Sequence, residues 1–283
     1  ILCVPESERY FYEEYLCMKR TLIFFGILCM IFFLLFSSAD RRTQFLTSLA
    51  GPGMLSLVKQ ASAKATALEN FSTDTIAGIP VEESPRIALT FDDGPNARYT
   101  PILLDGLKKR NIRASFFLIG ENIEGNEDIL LQMRKDGHLI GNHTWDHASL
   151  SSLNGSSIQS EISSTNAQIR ALTGHNATLV RPPYGAYNSN VQINAGAPLI
   201  LWSIDTLDWK TRNAKNTINV VMNEVKDGSI ILMHDIHSPS VDAAEVLIPK
   251  LIASGYQLVT VSELAKYRSV AMYSGGVYNA FYR

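Results

Sequence analysis

Two adjacent carboxylates, Asp92 and Asp93, stand directly after the apolar run Ile87–Phe91 and before the turn residues Gly94 and Pro95. Neighbouring side chains at a strand end point in different directions, so one carboxylate can bind a metal while the other moves a proton. An ordinary turn is the alternative, because Asp, Gly and Pro are common turn residues. The pair is therefore a candidate site for both metal binding and proton transfer.

Two histidines, His143 and His147, follow a second apolar segment, His138–Asn142. If this stretch is helical, a spacing of four puts both rings on one face, where two imidazoles can bind one divalent ion. It is not the His-Glu-x-x-His of metalloproteases, because Thr144 occupies the Glu position. Plain loop histidines are the alternative, but adding one of the two carboxylates gives a set typical of catalytic zinc or a similar ion.

Arg181 and Tyr184 put a guanidinium and a phenol on a stiff frame that contains Pro182 and Pro183. The guanidinium could orient a carboxylate through two parallel hydrogen bonds, and the backbone N–H of Tyr184 could face a developing oxyanion. A rigid turn with no catalytic role remains the alternative.

Two more polar clusters follow apolar runs, the first containing Asp208 and Trp209 and the second His234 and Asp235. A carboxylate beside His234 would raise the pKa of the imidazole and keep it protonated, as a general acid requires. A lone buried His or Trp belongs more often to a core, and we interpret Trp202 in this way.

Polar clusters of this kind need a scaffold that gathers the ends of several strands. Apolar runs predict seven strands, at Ile87–Phe91, Ala114–Ile119, His138–Asn142, Leu179–Arg181, Leu199–Ile204, Ile230–Met233 and Leu258–Val261. Between them, helices are predicted at Pro101–Arg110, Glu127–Lys135, Ser157–Leu172, Ala214–Val225 and Ala243–Ile252. This alternation predicts an α/β fold with parallel strands, and seven strands suit closure into a barrel with its chemistry at the carboxyl ends.

The composition excludes several classes of protein. The 283 residues include 25 Lys+Arg against 27 Asp+Glu and are 46% hydrophobic, which argues against a disordered chain and against a nucleic-acid partner. The three cysteines lie at or before Cys29, so no disulfide or thiolate metal site is expected after that residue.

Residues 18–39 have the order of a secretory signal: Lys19 and Arg20, the apolar run Leu22–Phe36, and small residues up to Ala39. The run is shorter than the roughly 20 residues that span a bilayer, yet membrane anchoring through 22–39 stays open as the alternative to cleavage. Either way, we expect the protein to be extracytoplasmic, secreted or membrane-anchored at the cell wall.

The five clusters, in this order, resemble the polysaccharide deacetylase family with the NodB homology domain, carbohydrate esterase family 4. The motifs are Thr90-Phe-Asp-Asp-Gly-Pro95, His143-Thr-x-x-His147, Arg181-Pro-Pro-Tyr-Gly185, Asp205-x-x-Asp-Trp209 and Leu232-x-His234. The resemblance implies a distorted (β/α)7 barrel and a hydrolase acting on carbon–nitrogen bonds, like bacterial peptidoglycan N-acetylglucosamine deacetylases. Residues 188–197 look short for the helix that members usually have there.

The resemblance also implies a role for each site residue. Asp93, His143 and His147 would bind a divalent metal, Zn2+ in the first instance, with Co2+, Mn2+ or Ni2+ possible. Asp92 would be the base that activates the metal-bound water, and His234 the acid that protonates the leaving group. Arg181 would orient the base, and the backbone N–H of Tyr184 would donate a hydrogen bond to the oxyanion. Asp208 would hold His234 in place. Trp209 and Leu232 would contact the methyl group of the acetyl.

Five segments follow from these observations. Residues 1–17 precede the signal, residues 18–39, and are expected to be upstream read-through or a fragment. Residues 40–85 are rich in Ser, Thr and Ala and are expected to form a spacer. Residues 86–268 would form the deacetylase domain, followed by an aromatic C-terminal tail at 269–283 with a structural role.

Three hypotheses for the function stay open. The first is deacetylation of peptidoglycan N-acetylglucosamine, and the second is the same chemistry on acetylated xylan or on chitin and chitooligosaccharides. The third is an inactive glycan-binding module, although the loss of a metal ligand or of Asp92 that it predicts is absent from the sequence.

Overall fold

The computed structural model describes residues 83–283, together with two-residue strands at 75–76 and 79–80. The expected segments 1–17 and 18–39, and most of the expected spacer 40–85, lie outside the described residues. None of the described helices is long and apolar enough to cross a membrane.

Short strands alternate with helices along the described chain. The strands are β1 (Thr75–Ile76), β2 (Ile79–Pro80), β3 (Arg86–Asp92), β4 (Ser115–Leu118), β5 (Leu139–Asn142), β6 (Leu199–Ile200), β7 (Ile204–Asp205), β8 (Ile230–His234), β9 (Gln257–Leu258) and β10 (Val277–Tyr278). The α-helices are α1 (Thr100–Lys109), α2 (Glu127–Lys135), α3 (Gly155–Thr173), α4 (Ser189–Asn194), α5 (Asp208–Thr211), α6 (Ala214–Glu224), α7 (Ser238–Ala253) and α8 (Val261–Tyr267).

The main sheet is parallel, and β3 lies at its centre. Its strands follow the order β5-β4-β3-β8-β7, with β9 paired to the start of β3. Beyond β5, single parallel bridges join Asn142 to Val180 and Val180 to Leu199 in β6. Residues 201–203 alone separate β6 from β7. The path of pairings that starts at β7 therefore ends at β6, in the same segment of the chain. The predicted α/β class with a parallel sheet is confirmed.

Three of the predicted strands differ from the structure, each for a local reason. Leu179–Arg181 contributes only the two bridges at Val180, because the two prolines that follow have no N–H to donate to a ladder. Leu199–Ile204 is interrupted, since the Arg181 side chain occupies the carbonyls of Ile200 and Leu201. The strand predicted at Leu258–Val261 ends at Leu258, because Thr260 and Glu263 form a capping box that starts α8.

Most helices agree with the sequence pattern, and α2 has the predicted bounds. Helix α3 begins where the Asn154 side chain accepts the Ser157 N–H, and it ends at Gly174, which has a φ of 82°. The short helices α4, α5 and α8 were not predicted from the sequence, although α4 lies within the stretch that looked too short for a usual helix.

The central strand is rigidly packed. The side chains of Ile87, Leu89 and Phe91 are fully buried and contact a cluster that includes Leu103 of α1 and Leu247 of α7. Each such side chain contributes about 1.5–3 kcal/mol by leaving water. Asp92, the last residue of β3, is therefore held in a fixed position.

The C-terminal tail packs against the fold. β10 pairs with β6, Phe281 is buried in a second core cluster, and its backbone N–H bonds to the Gly228 carbonyl. Gly228 has a φ of 93°, and an added Cβ would lie 2.2 Å from the Phe281 carbonyl oxygen. This close approach requires glycine.

Register places the polar strand ends together. Asp92 pairs with His234 of β8 on one side and with Phe117 of β4 on the other, and Leu118 pairs with Asn142 of β5. Because the strands are parallel, their carboxyl ends share one edge of the sheet, where ligands bind in folds of this class.

Candidate active site and metal centre

Asp93, His143 and His147 converge at this edge. One ligand atom from each lies within 4.8 Å of the others, with Asp93 Oδ1 at 3.4 Å from His143 Nε2 and 3.5 Å from His147 Nε2. Two imidazole nitrogens and one carboxylate oxygen match the ligands of a catalytic zinc site with open positions. The donor set therefore fits a divalent first-row ion.

The loop that carries the two histidines is not helical, so the condition for a shared helical face is not met. Thr144 and His147 instead have φ values of 69° and 65°, in the left-handed region that non-glycine residues rarely occupy. The two rings still approach, with centroids 5.0 Å apart, because the chain turns sharply between them.

Hydrogen bonding fixes the tautomer of His143. Its Nδ1 lies 2.7 Å from the carbonyl oxygen of Arg181, and because a carbonyl oxygen only accepts, Nδ1 must carry the proton. In the neutral ring the Nε2 lone pair then points to Asp93, as in a metal ligand held by an outer hydrogen bond.

The ionisation of Asp93 also suits a metal site. Burial alone would raise the pKa of Asp93, but the hydrogen bond and charge of His143, with the charges of His234 and His147, lower that pKa to about 2. Burial and the charge of His143 lower the pKa of His147. Metal binding requires an ionised carboxylate and neutral imidazoles, so a bound ion would take the place of the His143 proton that lowers the pKa of Asp93.

The turn after Asp93 is tightly enclosed. The Asp93 carbonyl accepts a hydrogen bond from Asn122 Nδ2 at 2.9 Å. A Cβ on Gly94 would lie 2.6 Å from Asp235 Oδ1, so only glycine fits there without movement. Neither Asn122 nor Asp235 was singled out for this role from the sequence, because no local pattern connects them to the turn.

Asp92, adjacent in the chain, belongs to a different group. Its Oδ1 accepts a 2.7 Å hydrogen bond from Nη1 of Arg181, which is completely buried. The same Nη1 donates to Thr90 Oγ1, and the remaining guanidinium bonds go to the Ile200 and Leu201 carbonyls. The contact to Asp92 is therefore single, not the bidentate pairing that the sequence suggested, because backbone carbonyls take the other donors.

His234 and Asp208 form a second buried pair. His234 Nδ1 lies 2.8 Å from Asp208 Oδ1, and the His234 backbone N–H donates to Asp208 Oδ2 at 2.9 Å. Burial alone would lower the pKa of His234, but the hydrogen bond and charge of Asp208 raise it to about 9. His234 Nε2 faces Asp93 Oδ2 at 3.9 Å, so the protonated ring borders the metal-ligand set.

The carboxylate next to His234 in sequence, Asp235, does not contact this ring through its side chain. Its Oδ2 accepts a 2.5 Å hydrogen bond from the Thr100 hydroxyl, and burial raises the pKa of Asp235 to about 7. The sequence argument that a neighbouring carboxylate raises the pKa of His234 thus applies to Asp208 instead.

The other predicted site residues surround these groups. Tyr184, with a φ of 60°, lies in the first turn of a 3₁₀ helix, Pro183–Gly185, where N–H groups have no acceptor within the helix. Its side chain is 69% exposed, and its ring centroid lies 4.7 Å from that of His147. Leu232 is buried in β8 two residues before His234, whereas Trp209 follows Asp208 and is 46% exposed.

Comparison with known proteins assigns the chain to a family. The profile described as "Polysaccharide deacetylase" matches residues 81–199. A peptidoglycan-N-acetylglucosamine deacetylase of Bacillus cereus is 36% identical over 190 residues, which cover 64% of this chain and 89% of that protein. The chain belongs to the polysaccharide deacetylase family. The family predicted from the five motifs is confirmed.

Longer relatives match the same part of the chain. PgdA of Listeria monocytogenes, a peptidoglycan-N-acetylglucosamine deacetylase, is 41% identical over 179 residues, and PdaC of Bacillus subtilis, a peptidoglycan-N-acetylmuramic acid deacetylase, is 44% identical over 178. Each match covers 63% of this chain and only 38% of the relative.

Solved structures share the fold. A family 4 acetyl xylan esterase from Clostridium thermocellum, in complex with a cobalt ion, aligns with a TM-score of 0.66 at 32% identity. The alignment covers 69% of this chain and 98% of the esterase. The parallel α/β architecture is thus that of the carbohydrate esterases of family 4.

Proposed function

We propose that this protein is a metal-dependent hydrolase that removes acetyl groups from N-acetylated polysaccharide, with peptidoglycan N-acetylglucosamine as its substrate. The observation that carries the proposal is the convergence of Asp93, His143 and His147 between two buried ion pairs, Arg181–Asp92 and Asp208–His234. One pair supplies a base and the other an acid, as amide hydrolysis requires.

On the basic side, Asp92 would accept the proton of the attacking water. The Arg181 guanidinium fixes the orientation of this carboxylate through Oδ1, which leaves Oδ2 as its second acceptor. Oδ2 lies 3.7 Å from His143 Nε2, on the side of the metal ligands. Oδ2 is therefore the proposed acceptor of the proton.

A divalent ion held by Asp93, His143 and His147 would polarise the acetyl carbonyl and lower the pKa of water, so that a carboxylate suffices as base. We propose Zn2+, with Co2+, Mn2+ or Ni2+ as alternatives, since nitrogen and oxygen ligands accept each of them. The exposed backbone turn at Tyr184 would donate its N–H to the developing oxyanion.

On the acidic side, His234 would donate its Nε2 proton to the leaving nitrogen. Asp208 holds the opposite ring nitrogen and keeps the imidazole charged. Leu232 and Trp209, which flank this pair in the chain, would contact the acetyl methyl group. An amine is a poor leaving group until it is protonated, so this side suits amide substrates.

Two relatives support peptidoglycan as the substrate, since PgdA and PdaC carry that substrate in their names. Hydrolysis of O-acetyl esters of xylan is a second candidate, because the esterase from C. thermocellum shares the fold over nearly its whole length. Chitin and chitooligosaccharides remain a further alternative within the same chemistry, and an inactive glycan-binding module is the alternative of a different class.

We also propose that the protein works outside the cytoplasm, either secreted or anchored in the membrane through residues 22–39. The signal-like order of residues 18–39 supports this location. N-terminal sequencing of the protein from membrane and medium fractions tests it: a chain beginning after Ala39 indicates secretion, an intact chain in the membrane indicates an anchor, and a cytoplasmic chain contradicts the proposal.

The decisive experiment measures acetate released by the purified protein from peptidoglycan, from N-acetylglucosamine oligomers and from acetylated xylan. Each reaction is run with and without a chelator, and then with added Zn2+. We expect chelator-sensitive release from peptidoglycan that returns with Zn2+. Release from xylan alone would assign the protein to the esterases, and no release from any substrate despite bound metal would support the binding module.

A further inference from the structure

The loop between β5 and α3 carries two of the three proposed metal ligands in an unusual backbone conformation. Thr144 and His147 are both left-handed, and a non-glycine residue keeps this strained conformation only where its surroundings compensate. Something outside the loop must therefore hold it in the shape that lets both imidazoles approach Asp93.

The first half of the loop is held by neighbouring backbone. The Thr144 carbonyl accepts the Gly120 N–H at 2.9 Å, and the Trp145 carbonyl accepts the Glu121 N–H at 3.0 Å. The Asn142 side chain accepts the Thr144 N–H at 2.8 Å. These bonds fix the residues that directly follow β5, including His143.

The Glu161 side chain of α3 holds the next part of the loop through its backbone N–H groups. Its Oε2 accepts the Trp145 N–H at 2.8 Å and, at 3.4 Å, the N–H of Asp146. An ionised acceptor makes hydrogen bonds about twice as strong as a neutral one. Trp145 and Asp146 are the two residues before His147, so this carboxylate oxygen sets the direction in which the chain enters the second histidine.

Helix α3 is a rigid support for Glu161. Ile158 and Ile162 on the same helix are buried in a core cluster, and the Ile162 carbonyl accepts a bond from Asn142 Nδ2 at 2.9 Å. Glu161 itself is half-buried and is bonded to the loop, not to another side chain of its helix. Its position is therefore fixed relative to the end of β5.

We infer that Glu161 is a positioning residue: its carboxylate holds the Trp145–His147 turn so that His147 reaches the metal-ligand set. This inference rests on the proposed metal site. His143 has its own anchor in the Arg181 carbonyl, so removal of Glu161 would affect the His147 contact first.

The test measures metal affinity rather than turnover. Metal-free full-length protein is titrated with Zn2+ in competition with a chromophoric chelator, and separately with Co2+, whose visible spectrum reports ligand number and geometry. The variants are Glu161→Ala, which removes the acceptor, and Glu161→Gln, which keeps an amide oxygen. Glu224→Ala, an exposed glutamate at the end of α6, is the matched control.

We expect Glu161→Ala to weaken zinc binding by about 10- to 100-fold, as losses of outer supports of metal ligands do, and to alter the cobalt spectrum. Glu161→Gln is expected to retain most of the affinity, and Glu224→Ala all of it. Thermal unfolding checks that the fold is intact. Should Glu161→Ala not fold, Glu161→Asp, which keeps the charge but shortens the side chain, is expected to show the same loss.

Wild-type affinity and spectrum in a folded Glu161→Ala variant would overturn the inference, and so would a Glu161→Gln variant as weak as Glu161→Ala. A wild-type protein that binds neither metal would overturn the metal site itself. Failure of the positioning role is thereby distinguished from failure of the proposed function.

Discussion

Two histidines, His138 and His234, are buried to almost the same degree yet differ in charge. They are 6% and 9% exposed. Burial lowers the pKa of His138 to about 4, with only a partial offset from Asp136, whereas Asp208 raises the pKa of His234 to about 9. Burial therefore does not decide which histidine of this fold is an acid.

The partner of Nδ1 decides it. In His234, Nδ1 faces the Asp208 carboxylate, which only accepts and therefore stabilises a proton on the ring. In His138, Nδ1 accepts the Ala114 N–H at 3.1 Å, and a proton there would face another donor. The first arrangement suits proton donation to a substrate, and the second packs a neutral ring against Phe116.

The largest expected effect is the loss of the charged histidine. His234→Ala should lower the turnover of an N-acetylated oligosaccharide by about 1,000-fold, since a general acid contributes roughly 10²–10⁴. Hydrolysis of an O-acetyl ester should fall much less, because an alkoxide needs less help to leave. Initial rates of acetate release from both substrates check this.

The matched control for this variant is His138→Asn, which removes the other buried histidine and should leave both rates unchanged. Equal losses on amide and ester substrates in His234→Ala would count against the assigned acid.

Some of the site follows from local sequence alone. Asp92 and Asp93 end a continuous apolar run, and His143 and His147 follow another, so parallel strands alone bring these four side chains to one edge. The chemistry of each pattern is carried by residues within a few positions of one another.

The partner of His234 could not be found in this way. Asp208 lies 26 residues before it, and the sequence offered a closer carboxylate in Asp235, which turns instead to the Thr100 hydroxyl. Only the resemblance to a family singled out Asp208. Strand register and tertiary packing determine such a contact, and neither can be predicted from a short stretch of sequence.

Backbone detail was equally hidden. No local pattern marks Thr144 or His147 as left-handed, and the spacing of four between the histidines allowed a shared helical face. The break between β6 and β7 depends on the buried Arg181 side chain, which bonds to carbonyls 19 and 20 residues away in the chain. Long-range contacts overrode the local preference in both places.

The neutral histidine should affect stability, not activity. Because the pKa of His138 is about 4 when folded and near 6.5 otherwise, the unfolded chain binds the proton more tightly, and stability falls as pH is lowered through this window. The full shift corresponds to about 3 kcal/mol. Urea unfolding at several pH values between these limits measures it.

The comparison protein is again His138→Asn, whose amide oxygen can accept the Ala114 N–H without titrating. Every other titrating group contributes equally to the unfolding free energies of the two proteins. The difference between these free energies should therefore change with pH by most of the shift of about 3 kcal/mol. A difference that is constant from pH 7 to pH 4 would show that His138 does not titrate as its surroundings imply.

The smallest expected effect comes from making the partner of His234 more like that of His138. Asp208→Asn keeps an oxygen near Nδ1 but removes the charge, so the pKa of His234 should fall toward 6.5. At pH 7 we expect kcat to drop about 4-fold with little change in KM, because only about a quarter of the molecules then carry the proton to be donated. The deficit in kcat relative to wild type should narrow as the solution is made more acidic, since the His234 ring is protonated again.

Asp105→Asn, on the exposed face of α1, controls for the change of charge. A deficit that stays constant with pH would mean that Asp208 only orients the ring, and the contrast between the two histidines would then be one of geometry and not of charge.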